Sequence, residues 1–337
     1  MNGWHECVSA PDRLVQPDGR VAFGWWREAV GDLGLSQLRI PDPLGGVKPG
    51  WQRIFRFKRW EFWSLDLGHV LIGLALVDLG YARSMFAYVA EPALNKLRSM
   101  QVKAPGLKSL GINLHWPEGF QSGKTLLQTR RGYVQVMAQA HELNLCFDLP
   151  ELAVKGDLRM ERVEPLSLCV PAGATGWTYT CKEVAMRMTG SCEVDGQSCD
   201  LSRALASVDR SLGLMRRETA WQWCSLMGWQ ADQPYGLNAA LGVNESGQTE
   251  NAFWLDGRLC KLDSVSFHQT GQGCFVSGTH VALNFNGMSQ FNDHFDLGLL
   301  ASRFTQWQGR YRGVIYRNEQ SYAIDAQGLW EDHFVRW

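Results

Sequence analysis

The sequence is short of signatures. It has no G-x-S-x-G, no H-E-x-x-H, no P-loop and no G-x-G-x-x-G ahead of a helix. Hydrolase, zinc-protease, nucleoside-triphosphatase and dinucleotide readings therefore lack support. There is no C-x-x-C pair among its nine cysteines, an odd set placed mostly in apolar contexts such as Cys146 in LNLCFDL. That usage argues for reduced, buried thiols in a cytoplasmic protein and against a disulfide framework. No apolar run is long enough to cross a bilayer, and the longest, VLIGLALVDL at 70–79, already contains Asp78. The first residues include His5, Glu6, Asp12 and Arg13 without an apolar h-region, so no signal peptide is expected. A formal net charge of −1 with scattered Lys and Arg offers no basic stripe for nucleic acid. A neutral or apolar partner is expected instead.

What the chain does have is strand chemistry and tryptophan. With 45% hydrophobic and 20% charged residues it reads as folded, and 337 residues suit two domains. Asp256-Gly257 supplies both positive-φ positions of a type I′ turn within QTENAFWLDGRLCKL (248–262). Asp195-Gly196 and Asn286-Gly287 predict two further hairpins. Residues 142–149 alternate, with Leu143, Leu145, Phe147 and Leu149 facing inward. Residues 54–63 (IFRFKRWEFW) also read as a strand. Residues 70–78 are apolar on both faces, so this strand is covered twice or lines a lumen, and Gly73 and Ala75 leave room for a close neighbour. Two short helices are expected, at 92–99 and 201–210, the second with Leu201, Leu205 and Val208 on one face. A Pro/Gly-marked connection at 168–177 divides the chain into 1–170 and 171–337, each the size of one eight-stranded antiparallel barrel. The expected fold is all-β.

Six segments carry a resemblance: FKRWEFW (57–63), LVDLGYA (76–82), WTYTCK (177–182), TAWQWCSLMG (219–228), GLNAALGVNESGQTENAFWLDGRLCKLD (236–263) and WEDHFVRW (330–337). Together they resemble a bacterial family described as domain of unknown function 2804. That family is remotely similar to the double-lipocalin group of carotenoid hydratase-like and AttH-like proteins. The resemblance implies two consecutive lipocalin-like (calycin) barrels, and the hydratase group uses an acid to protonate an isolated alkene. None of that group's catalytic residues is matched to a position here.

The densest polar group is Glu250-Asn251 with Trp254. In a strand, Glu250 and Trp254 share a face, and desolvation beside an indole would raise the carboxyl pKa. The plainer account is that Glu250 and Asn251 bond backbone groups where a loop meets a strand. Glu331-Asp332-His333 is a second candidate, bracketed by Trp330, Phe334 and Trp337, with Asp332 or Glu331 orienting His333. An interbarrel salt bridge, with Arg336 for instance, is the alternative. Asp78 and Arg59, near Trp60, would pair at a lumen floor or cap a turn. Trp221, Trp223 and Tyr179 suit ligand packing, while Lys182 would need desolvation to act as a nucleophile. Asn292-Asp293-His294-Phe295 echoes the terminal segment, but no third ligand has metal spacing, so neither metal nor cofactor is expected.

Fifteen tryptophans beside near-zero net charge lead to one functional expectation, the binding of a lipid, isoprenoid or other hydrophobic small molecule. The alternative is acid-initiated hydration, isomerisation or cyclisation of an apolar alkene, with Glu250 or Asp332 as the acid. A structural module is the third reading, favoured if the barrel lumens are filled by side chains. Oligomeric state is left open.

Overall fold

A computed structural model describes residues 9–105, 111–243, 248–317 and 320–337. The architecture is nearly all strand, in two antiparallel sheets that follow one another along the chain. In the first sheet the spatial order begins Lys96–Pro105, Ala82–Glu91, Leu71–Asp78, Phe57–Asp66, Leu205–Leu214 and Gly176–Val194. It continues through Val154–Glu161, Glu142–Leu149, Gly132–Ala138, Gly123–Thr129 and Asn113–His115. The second sheet runs Arg258–Lys261, Ala252–Leu255, Gln233–Leu241, Glu218–Gln230, Gln320–Arg336, Ala301–Arg317, Val281–Asp296, Gly273–Gly278 and Val265–Thr270. Each sheet curls about its own core, giving two consecutive antiparallel half-barrels with a few short helical turns.

Period-2 alternation sets which side chains enter each core. Trp63 and Leu65 of Phe57–Asp66 point into the first, where they meet Leu74, Leu127, Leu145 and Phe147. Cys224 and Leu226 of Glu218–Gln230 point into the second, with Phe253, Tyr311 and Trp330. Trp307 stacks on Trp330 there at 4.1 Å. Among the described residues, apolar side chains pack both interiors.

The expected turns at Asp195-Gly196 and Asp256-Gly257 are present, with Val194 paired to Gln197 and Leu255 to Arg258. All four turn residues have positive φ, between 47° and 77°. Asn286-Gly287 is not a turn. It lies within the continuous strand Val281–Asp296, where the register shifts between Gly287 and Ser289. A Cβ on Gly287 would lie 2.4 Å from the Gln272 carbonyl, so glycine here answers a close backbone approach at a bulge.

Both expected helices fail. Residues 92–99 form one 3-10 turn, Pro92–Leu94, before strand Lys96–Pro105 begins, and 201–210 lead into strand Leu205–Leu214. That strand lies between Phe57–Asp66 and Gly176–Val194 and is buried on both faces, which erases the alternation that would have marked it. Of 54–63, the first residues belong to a helical turn, Arg53–Arg56, and the strand starts at Phe57. The segment 168–177 holds the hairpin joining Leu166–Ala172 to Gly176–Val194 inside the first sheet. The chain passes from one sheet to the next at 215–217, so 171–214 pair with the first. Pro and Gly mark a tight hairpin and a linker alike, which is why that segment read as a boundary. No helix among the described residues is long and apolar enough to cross a membrane.

Candidate functional site

The two sheets pack outer face against outer face. Trp60 and Phe62 alternate with the core residues of their strand and so point away from the first core, toward the second sheet. Trp221, Trp223, Phe304, Glu331 and His333 do the same from the other side. Phe62, Tyr88, Trp223, Phe291 and Leu329 close much of this interface. Phe62 meets Trp223 edge-on at 6.0 Å, Phe86 stacks on Phe291 at 4.8 Å, and Trp60 lies parallel to Trp221 at 6.3 Å. Where the faces part, they enclose a cavity of about 390 Å³. Its walls are largely Trp60, Phe62, Val77, Phe86, Trp223 and Phe304. The expected aromatic chamber thus lies between the barrels rather than inside either one.

A few polar groups interrupt that wall. Glu331 accepts hydrogen bonds from Trp221 Nε1 (2.8 Å) and Gln306 Nε2 (2.9 Å). Gln306 is held in turn by the Tyr88 hydroxyl, which donates to its Oε1 at 2.6 Å. Burial pushes the Glu331 carboxyl up to about 7, with the two donors only partly offsetting it. His333 lies against Trp221, ring centroids 4.2 Å apart, and its Nε2 is 3.2 Å from Ser302 Oγ. Its Nδ1 is buried without a hydrogen-bond partner, 3.8 Å from Glu331 Oε1. Burial, helped by the Arg303 charge, brings the imidazole down to about 3, so the ring is neutral at ordinary pH.

A second polar cluster faces the same space. Lys182 Nζ donates to Asp209 Oδ2 at 2.6 Å and to Glu250 Oε1 at 3.2 Å. Burial draws the ammonium down, but the Asp209 and Glu250 carboxylates outweigh it, and the pKa ends above its usual value. Lys182 is therefore a cation held by two acids, not a desolvated amine ready for nucleophilic attack.

The sequence-derived candidates separate cleanly. Glu250, His333, Trp60, Trp221 and Trp223 come together at the cavity. Asp332 does not, because the strand turns it to the opposite face, where its carboxylate lies 3.6 Å from Arg303. Asn251 is a structural bracket, accepting from Ala240 N and donating to Asp263 O. Trp254 packs between the sheets with Trp25, Leu168 and Met227 and donates to Glu164 O, away from the cavity. Tyr179 stacks on Phe120 in another cluster, and its hydroxyl meets Ser167 Oγ and Val30 N. Arg59 stacks over Trp116 and donates to Pro117 O. Asp78 sits opposite Arg59 in register but binds Gly80 N and pairs with Arg83 at 3.6 Å, so it caps the turn. Neither lines the cavity.

Gln306 and Asp209 are polar cavity residues that the sequence reading did not name, and Glu331 entered it only as a group that could orient His333. For Glu331 a signal existed: period 2 puts it on the His333 face and excludes Asp332. Gln306 and Asp209 had none, since only sheet packing brings them there. Among the described residues, no group of three or more His, Cys, Asp or Glu side chains is placed to hold a metal. In the Asp293-His294 echo, Asp293 pairs with Lys103 and His294 meets Thr305 Oγ1.

Comparison with known proteins gives a family and a fold. Residues 5–337 match the domain of unknown function (DUF2804), and the chain belongs to that family. No curated protein matches it. Among solved structures, it is similar to CghA crystallised with Sch210972, with a TM-score of 0.50 and 11% identity over 83% of this chain and 88% of that one. A second CghA structure gives a TM-score of 0.51 at 10% identity with the same coverage. Kievitone hydratase from Nectria haematococca gives 0.49 at 10% identity, over 84% and 90% of the two chains. At these identities the CghA likeness concerns the fold alone.

Proposed function

We propose that this member of the DUF2804 family binds an apolar small molecule, of the lipid or isoprenoid class, in the cavity between its two sheets. One observation carries the reading: a chamber of about 390 Å³ whose wall is chiefly tryptophan and phenylalanine, with polar groups on Glu331, His333, Gln306, Lys182, Asp209 and Glu250 among its lining. Its size falls within the roughly 300–1,000 Å³ usual for small-molecule sites, and its wall follows the same pattern of apolar surface with sparse polar anchors. Burial of apolar ligand surface, at roughly 25 cal/mol per Å², supplies the affinity before association costs. The cytoplasmic placement belongs to the same proposal and is supported by the eight cysteines that stand free among the described residues. Fluorescence titration with N-phenyl-1-naphthylamine tests the site. One saturable equivalent quenching Trp60, Trp221 and Trp223 is the expected result. Only weak, non-saturating uptake would refute it.

A second reading is favoured by Glu331. Its carboxyl titrates near neutrality, faces the cavity across the strand pair from Trp223, and has the neutral His333 ring two residues away. That arrangement suits proton transfer from Glu331 to an alkene carbon, with the indole faces stabilising the resulting cation. In an isomerisation the same carboxylate, or His333, then removes the neighbouring proton. The acid role moves here from Glu250, which is engaged with Lys182, and from Asp332, which faces away. If Glu331→Gln removed turnover of an identified alkene while preserving its binding, the enzymatic reading would stand. Unchanged turnover in that variant would eliminate Glu331 as the acid.

A further inference from the structure

The cavity opens beside exposed apolar side chains. Leu297 lines it yet is 73% exposed, and Leu299 in the same turn is 76% exposed. Across the mouth, Tyr81 lines the cavity and carries Phe55 stacked on it at 6.2 Å, with Trp51 edge-on to Phe55 at 6.2 Å. Phe55 and Trp51 are 55% and 62% exposed. The Ile54 carbonyl packs against Gly80, where a Cβ would come within 2.2 Å, and this anchors the Arg53–Arg56 turn beside the opening. Two separate segments therefore hold aromatic and aliphatic groups in water around one mouth. A monomeric soluble protein ordinarily avoids a clustered apolar patch of this kind.

The charge around the mouth differs from that of the whole chain. Residues 48–58 contain Lys48, Arg53, Arg56 and Lys58 and no acid. Lys58 is buried over the Tyr81 ring, and Arg53 stacks on Phe57 and donates to Leu35 O, so the partly exposed Lys48 and Arg56 are the cations left toward the surface. Arg217 donates to Leu299 O, and Arg336 donates to Gly298 O, placing two more cations at the Leu297–Leu299 side. The acids nearby are Asp78, which attracts Lys58 and pairs with Arg83, Asp293, paired with Lys103 at the cavity wall, Glu218, paired with Arg336, and Asp296, which accepts from Gly298 N. A cationic rim on a protein of net charge −1 is a local feature.

We infer that this rim docks on a lipid bilayer bearing anionic headgroups and that the cavity exchanges its ligand there. The inference rests on the ligand-binding reading above. A bilayer supplies both partners the rim calls for, an apolar layer for Trp51, Phe55, Leu297 and Leu299 and negative charge for the cations beside them. A second copy of this chain would set the same cations against each other. The rim also surrounds the opening of the apolar cavity, so docking would carry a water-insoluble ligand from membrane to chamber without crossing bulk water.

The test is co-sedimentation with vesicles of phosphatidylcholine and phosphatidylglycerol at 70:30, comparing the wild type with the triple variant W51S/F55S/L299S. The wild type is expected to sediment, with at least fivefold less binding to pure phosphatidylcholine or in about 0.5 M NaCl. The triple variant alters exposed side chains only and should lose at least tenfold in partitioning. It should still take up N-phenyl-1-naphthylamine in vesicle-free buffer. A wild type that takes up the probe but stays in the supernatant overturns the docking inference and leaves the ligand reading standing. A wild type that takes up no probe overturns both. Triple-variant sedimentation equal to that of the wild type overturns docking through this rim. So does light scattering that shows a wild-type dimer abolished by the same substitutions.

Discussion

Replacing Glu331 with glutamine should change how stability depends on pH, by an amount that follows from its burial. The carboxyl titrates at about 7 in the folded protein against an ordinary 4.5, because burial disfavours its charged form. Between those values the folded chain binds more protons than the unfolded chain. Stability contributed by this site therefore falls as pH rises, and the full loss, about 3 kcal/mol, is present above pH 7. His333 acts in the opposite sense. Its imidazole is near 3 when folded and 6.5 when free, so its contribution is lost as pH falls below about 6.5. The two partly cancel in the wild type, which is why the difference between wild type and variant is the informative quantity. Urea unfolding followed by tryptophan fluorescence should show E331Q gaining about 2.5 kcal/mol relative to wild type between about pH 5 and pH 8. Any constant offset from rearranged Gln306 and Trp221 hydrogen bonds leaves that slope intact. A difference that does not vary with pH would refute the claim that Glu331 is desolvated.

Lys182→Met should destabilise by about 3–5 kcal/mol, because it leaves the Asp209 and Glu250 carboxylates facing each other in a buried site. The triple change K182M/D209N/E250Q should recover most of that in the same unfolding assay. Val77→Trp should fill the cavity and weaken probe binding at least tenfold while leaving the far-UV circular dichroism unchanged. Gly73→Val should cost about 1–3 kcal/mol in thermal unfolding, since a Cβ there would lie 2.2 Å from the Tyr88 ring and the interface would have to repack.

The sequence was readable wherever a strand has one wet face. Leu143, Leu145, Phe147 and Leu149 are all buried, while Glu142, Asn144 and Asp148 between them are not. Asp195-Gly196 and Asp256-Gly257 were readable because a type I′ turn needs positive φ at both positions. Gly73 was readable as a close approach, and the neighbour is the Tyr88 ring. Legibility failed where both faces are apolar. Leu205–Leu214 lies between two strands and is covered on both sides, so its pattern matched a helix equally well. The same ambiguity hid the cavity. Trp60 and Trp63 look alike in sequence, yet Trp63 fills the first core and Trp60 faces the other sheet. In the terminal segment the acid was misplaced by one position: Asp332 was chosen over Glu331, and a shift of one reverses the face. Asn251 and Trp254, in the densest polar stretch, proved to hold the strand ends and the sheet interface together.

The central claim is that the chamber lies between the barrels and accepts an apolar molecule there. The most direct test is a crystal structure of the protein saturated with 1-bromonaphthalene, with the bromine located by its anomalous signal. The account predicts one dominant peak between Trp60, Trp223 and Phe304, within reach of Glu331. A peak inside either sheet's own core, or none between the sheets at saturating probe, would contradict it.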